Sequence, residues 1–227
     1  MVAGTYQCDD HGTYWIRTWS DPSGDQLGNL AWVGMRLLPK TLRASWANIG
    51  RGLWRPDEQN WNCAWADIPF QGSSANHGTF TLAENGAGGF VSRERSGFGG
   101  TRWDATTGPE RPDLIIPSVI HAPFGLTGIW TGDAGEIYYI RETPRASPGE
   151  PTHLYWFGAR PDARVANVYY GYSNLERTFF RGAYYDVPWG GTASHAEMRL
   201  QIVDENNLQK GSPSAAGYAT THWRRLF

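Results

Sequence analysis

The sequence predicts an all-β chain built as two tandem up-and-down antiparallel eight-stranded barrels, and three observations carry that prediction. The chain repeats itself: Gly4 to Arg17 lies over Gly128 to Arg141 without a gap, and the same displacement of 124 carries Trp32 and Gly34 onto Trp156 and Gly158. After a five-residue adjustment, Asn48 falls on Asn167, Gly52 on Gly171, Asp67 on Asp186 and Pro69 on Pro188 at 119, and Trp103 meets Trp223 at 120. A period of this size means one duplicated structural unit. Second, apolar residues alternate at period two in short runs bounded by Gly, Pro, Asn or Asp, whereas helical spacing is nowhere sustained. Third, 12 Trp, 11 Tyr and 9 Phe beside 28 Gly favour sheet, with tight turns and close backbone approach.

In the first unit the strand-like runs fall around GTYQ, TYWIRTW, LAWVGMR, SWANIGRGLW, NWNCAWADI, GTFTLAE, GGFVSRER and TRWDA. The second unit repeats the pattern with GIWT, EIYYIRE, HLYWFGAR, VANVYYGYS, TFFRGAYYDV, EMRLQIVD, a short run near LQKGS, and THWRRLF. Eight sequential antiparallel strands close most economically into a barrel, which also removes exposed sheet edges. The first repeat is read as residues 1–104 and the second as 128–227. Between them, residues 105–127 carry four prolines and have no counterpart, which marks a linker. Its LIIP and VIHAPF pieces are apolar enough to pack over a barrel mouth or along the seam between barrels.

The formal net charge of −2, with charges scattered along the chain, argues against nucleic acid and anionic membrane as partners. No apolar run reaches the ~20 residues that a membrane span needs, and the start of the chain lacks a signal-peptide pattern, so the expectation is a cytoplasmic protein. Cys8 and Cys63 fall opposite Gly132 and Gly182, so a disulfide is not part of the shared plan and reduced thiols are expected.

The opening Gly-x-aromatic of each unit (Gly4-Thr5-Tyr6 and Gly128-Ile129-Trp130), followed by an eight-strand meander ending in a Trp and basic strand (HWRR, 222–225), resembles the calycin barrels, the lipocalins and avidins. GTYQCDDHGTYWI is similar to an avidin first hairpin, and Trp103-Asp104-Ala105-Thr106 to the last strand. The resemblance implies calycin-type barrels. Asp104 departs from it, standing where a basic residue is expected after the Trp. No avidin-like set of biotin ligands matches residue by residue, so biotin is not implied.

Alternation sorts the faces. Trp61, Cys63, Trp65 and Asp67 share one side of their strand, as do Phe180, Gly182, Tyr184 and Asp186 in the second unit. Trp46, Asn48, Gly50, Gly52 and Trp54 align likewise, with Asn167, Tyr169 and Gly171 repeating them, and Trp15 shares a face with Arg17 as Tyr139 does with Arg141. An Arg, an Asn and an Asp thus recur in each half among large rings. One reading is scaffold: Arg17 pairs with Asp67 and Arg141 with Asp186, or the Asp-x-Pro corner accepts backbone N–H groups. The other is a ligand site made of Tyr14, Trp15, Arg17, Trp32, Asn48, Trp65 and Asp67, with Tyr138, Tyr139, Arg141, Trp156, Asn167, Tyr184 and Asp186 as the second set. Gly34, Gly50, Gly52, Gly158, Gly171 and Gly182 would then leave room beside the rings, since an eight-strand barrel either fills itself or holds one small ligand.

The leading functional expectation is a small-molecule or carbohydrate-binding protein. The alternatives are a cofactor-independent cyclase, isomerase or lyase in which Asp67, Asp186, Arg17 and Arg141 steer charge, and a lectin or interaction module whose outer rings meet a partner or a second copy in a homodimer. No cofactor is implied. No HxH, HExxH or two-His-one-carboxylate spacing marks a metal, and there is no GxSxG nucleophile. His77 and His195 match across the repeats, whereas His11 and His153 do not. Asp9 and Asp133 recur in the first turn as a carboxylate pair, and Asp67 or Asp186, raised by an aromatic cage, would serve as an acid or base.

Overall fold

The structure, a computed structural model, describes residues 3–20, 27–37, 44–70, 74–107, 113–117, 119–162, 164–212 and 217–227. It is all-β. The first barrel runs β1 (Ala3–Cys8), β2 (Thr13–Ser20), β3 (Leu27–Leu37), β4 (Ala44–Arg55), β5 (Asn60–Asp67), β6 (His77–Glu84), β7 (Phe90–Arg95) and β8 (Arg102–Thr106). The second runs β9 (Gly128–Gly132), β10 (Ile137–Thr143), β11 (His153–Ala159), β12 (Ala166–Ser173), β13 (Phe179–Asp186), β14 (His195–Asp204), β15 (Asn207–Lys210) and β16 (His222–Arg225). Each strand pairs antiparallel with its neighbours in sequence, and β1 with β8 and β9 with β16 close the two barrels. Among the described residues no helix is long and apolar enough to cross a membrane.

Closure is pinned by the recurrent aspartates of the first turn. Asp9 accepts hydrogen bonds from the Thr101 amide at 2.7 Å and the Thr101 hydroxyl, and Asp133 accepts the Thr221 amide at 2.8 Å and the Thr221 hydroxyl at 2.5 Å. Each carboxylate ties the first hairpin of its barrel to the last strand. Burial, which alone would raise them, is outweighed by these bonds, and both carboxyls are lowered to about 2.

The alternating pattern divides the apolar residues into three cores. Tyr6, Tyr14, Trp32, Trp61, Trp65, Phe80, Phe98 and Trp103 fill the first barrel, and Trp130, Tyr138, Trp156, Tyr169, Phe180, Tyr184, Tyr218 and Trp223 the second. The residues of opposite parity form the third, between the barrels: Trp15, Trp19, Val33, Met35, Ile49 and Phe70 meet Tyr139, Tyr155, Phe157, Val168, Tyr185 and Trp189. Leu114 and Ile120 of the linker pack against this seam, and Tyr139 donates its hydroxyl to the Ile115 carbonyl at 3.1 Å.

The expected room beside the glycines is taken by the barrels' own rings. A Cβ on Gly34 would overlap Tyr14, one on Gly50 would overlap Trp32, and Gly158 and Gly171 stand in the same relation to Tyr138 and Tyr169. Gly182 instead lies against the Tyr170 backbone. Gly34, Gly50 and Gly158 seat rings of the neighbouring strand and Gly171 a ring of its own strand, so the barrel interiors are packed rather than hollow. Cys8 and Cys63 are buried free thiols.

Candidate functional site

The predicted residues separate into two locations. Tyr14, Trp32, Asn48, Trp65 and Asp67 point into the first barrel, with Tyr138, Trp156, Asn167, Tyr184 and Asp186 in the same places in the second. Trp15, Arg17, Tyr139 and Arg141 have the opposite parity and lie on the outer walls, in the seam. The expected intrabarrel pairs Arg17–Asp67 and Arg141–Asp186 are therefore not formed; the arginines cross over. Arg141 donates to the Asp67 carbonyl at 3.0 Å, to the His121 and Ala122 carbonyls at 2.7 and 3.0 Å, and to the Ser74 carbonyl at 3.5 Å. Arg17 donates to the Thr192 carbonyl at 2.7 Å, beside Asp186.

The aromatic contacts repeat the exchange. Trp15 of the first barrel packs on Trp189 of the second with ring centroids 4.6 Å apart, and Tyr139 of the second packs on Phe70 of the first at the same 4.6 Å. These are equivalent residues of the duplicate with the barrels swapped, the signature of an isologous, twofold-like interface. The reason is strand parity: a residue two positions from Trp15 must share its outward face, which here looks onto the corner of the other barrel. Each aspartate meanwhile caps its own corner. Asp67 accepts from the Ser74 hydroxyl and the Asn76 amide, and Asp186 from the Ser194 amide at 2.8 Å.

Although their frameworks match, the two mouths are filled differently. In the second barrel Tyr218 lies over the polar floor, its hydroxyl 3.1 Å from Asn167 Oδ1 and 3.0 Å from the Tyr138 hydroxyl. Tyr138 also meets Thr220 at 3.0 Å, and Thr220 donates to the buried Glu136 at 2.7 Å. Trp156 Nε1 completes the network, 2.9 Å from Asn167 Oδ1.

In the first barrel the equivalents of Tyr218, Thr220 and Glu136 are Phe98, Gly100 and Gly12, so none of those polar atoms exists. Trp32 Nε1 still donates to Asn48 Oδ1 at 3.0 Å. The mouth instead holds a cleft of about 280 Å³, lined among others by Asp10, Trp46, Asn48, Trp65, Asp67 and Phe98, with Ser74 and Asn76 at its rim. Asp10 accepts the Tyr14 hydroxyl at 2.6 Å and the Gly12 amide at 2.7 Å. Burial raises the Asp67 carboxyl against the opposing pull of Ser74, Asn76 and Arg141.

The lining thus offers two carboxylates, two side-chain amides and a hydroxyl among three rings, without a lysine or arginine. Among the described residues no group of His, Cys, Asp and Glu is arranged to hold a metal ion. Asp10, Trp46, Phe98, Ser74 and Asn76 were not among the residues singled out as ligand-binding from sequence. The signal that finds them is difference between the copies, since Asp10, Trp46 and Phe98 stand opposite Ala134, Val165 and Tyr218. Compared with protein-family models, curated proteins and solved structures, the chain matches none.

Proposed function

We propose that the protein is a small-molecule-binding protein of calycin-like design, in which the mouth of the first barrel takes a compact, neutral, hydroxyl-rich ligand such as a sugar. The observation that supports this reading most directly is the substitution of Phe98 for Tyr218 between otherwise equivalent mouths. In the second barrel the Tyr218 hydroxyl fills the space above Asn167, whereas in the first no hydroxyl stands at that place and Asn48, Asp10 and Asp67 line a cleft. The lining is rich in acceptors, which suits a donor-rich ligand and penalises an anion, because like charges brought together in a partly desolvated cleft repel strongly. Trp46, Trp65 and Phe98 supply flat apolar faces for the C–H side of a ring. At about 280 Å³ the cleft sits at the small end of ligand sites, which suits one ring rather than an extended molecule.

The test is a titration of intrinsic fluorescence with neutral monosaccharides, polyols and their carboxylated counterparts. Trp46 and Trp65 line the cleft, so occupancy changes the signal directly. At least one neutral compound should saturate the protein and lose affinity about tenfold or more in Asp67→Asn, with Asp186→Asn as the second-barrel control that leaves it intact. Equal affinity in wild type and Asp67→Asn, or no saturation by any neutral member, would overturn the proposal. The raised Asp67 carboxyl near Asp10 favours a second reading, acid–base turnover of the bound compound. That reading requires the ligand to be converted over hours in an NMR time course, by wild type and not by Asp67→Asn.

A further inference from the structure

A larger space of about 580 Å³ opens on the seam, away from the mouth and with the opposite electrostatic character. Its walls come from both barrels: Asn29 and Arg51 from the first, and Arg181, Tyr185, His195 and Glu197 among those from the second. Arg51 holds the centre. It lies on β4 with seam parity, and its guanidinium sits 5.4 Å from the Tyr185 ring centroid and 6.0 Å from that of Tyr170. One Nη reaches Asn29 Oδ1 at 3.2 Å, while Nε is buried without a hydrogen-bond partner. Among the described residues no carboxylate lies within ion-pair distance of it.

Tyr170 is the duplicate of Arg51, and His153 the duplicate of Asn29. In the second copy these two form a closed pair, the Tyr170 hydroxyl 2.9 Å from His153 Nδ1 with stacked rings. The duplicated position therefore has a self-satisfied version on one side of the seam and, on the other, an arginine that no described carboxylate neutralises. A half-buried guanidinium braced by two aromatic rings, with no carboxylate at ion-pair distance among the described residues, is a costly arrangement unless an anion completes it. Across the groove Arg181 supplies a second guanidinium. Its carboxylate, Glu197, lies 3.4 Å away with both side chains largely in solvent, a pairing too weak to hold that charge against a competing ligand.

We propose that this groove is a second binding site, for an organic oxyanion carried on a flat ring, with Arg51 and Arg181 gripping the oxyanion from opposite walls and the exposed His195 imidazole, itself stacked on Tyr185, facing the ring. Carboxylate and phosphate monoester share this chemistry, and the choice of probe separates them. The experiment is isothermal titration calorimetry of the full chain at low ionic strength with benzoate, phenyl phosphate and benzyl alcohol. Benzoate or phenyl phosphate should saturate, the better of the two identifying the oxyanion, and benzyl alcohol should not. Arg51→Gln and Arg181→Gln should each weaken the anion about tenfold or more, the loss expected for one charge-assisted contact. Arg181 is exposed, so its variant keeps the test intact even if Arg51→Gln perturbs the seam. Asp67→Asn should leave this binding unchanged, which separates the groove from the mouth. No saturable heat from either anion, equal binding of benzyl alcohol, or unchanged affinity in Arg181→Gln would overturn the proposal.

Discussion

Replacing Arg141 with Met tests the crossed architecture, because this one side chain of the second barrel holds the corner of the first. The residue is 3% exposed, and its guanidinium makes three bonds of 2.7 to 3.0 Å and a fourth at 3.5 Å, all to backbone carbonyls. Charge-assisted bonds are worth ~1.5–3 kcal/mol each but are not additive. The closer guide is the loss of one partner from a buried ionic arrangement, about 3–5 kcal/mol, since Asp67 also loses its nearby cation. Arg17 makes a single described bond, 2.7 Å to Thr192, so Arg17→Met should cost about 1.5–3 kcal/mol. At roughly 2–4 °C per kcal/mol for a chain of this length, calorimetry should show Arg141→Met melting about 6–20 °C lower and Arg17→Met less. A double-mutant cycle with Asp67→Asn decides the partner. Coupling is expected between Arg141 and Asp67, and near-additivity between Arg17 and Asp67. The reverse pattern, or equal melting shifts for the two arginines, would refute the exchange.

Three further outcomes follow from the same geometry. Phe98→Tyr places a hydroxyl where Tyr218 has one, so it should bond Asn48 Oδ1 and abolish ligand binding at the first mouth in the fluorescence titration; retained affinity would separate that cleft from the ligand. Gly50→Ala drives a methyl into the Trp32 ring and strains its bond to Asn48, so urea denaturation should show a loss of about 1–3 kcal/mol, and an unchanged midpoint would contradict the seating of rings on glycine. The Asp9 carboxyl, lowered in the fold to about 2 from an unfolded value of roughly 3.9, adds stability that is present above pH ~4 and disappears as the pH falls toward 2. Screening at this exposed site keeps the contribution below about 1 kcal/mol. Melting curves of wild type and Asp9→Asn should therefore differ slightly at pH 7 and converge at pH 2; a difference constant across that range would count against the clasp.

The two mouths also explain why equal sequence motifs did not mean equal sites. Asn48 and Asn167, like Asp67 and Asp186, are the same residues on the same strands, yet Phe98 brings no counterpart of the Tyr218 hydroxyl to Asn48. Similarity between the copies located the framework, and dissimilarity located the cleft. The seam follows the same logic, with Tyr170 and His153 closing on one another while Arg51 remains open to the groove.

What the sequence determined by itself was the number, order and faces of the strands and the doubling of the barrel. These depend on alternation and turn chemistry, which are local, and on a repeat legible without coordinates. It also determined that Trp15 and Arg17, or Tyr139 and Arg141, share a face, because side-chain direction has a strict period of two. Only the tertiary structure decided that this face looks outward to the other barrel, that each arginine answers the opposite aspartate corner, and that the glycines are covered by Tyr14 and Trp32 rather than by a ligand. Those outcomes depend on how one closed barrel docks on another and on which ring reaches a given space first. Both are set by three-dimensional packing between residues tens to nearly two hundred positions apart, which no local pattern encodes.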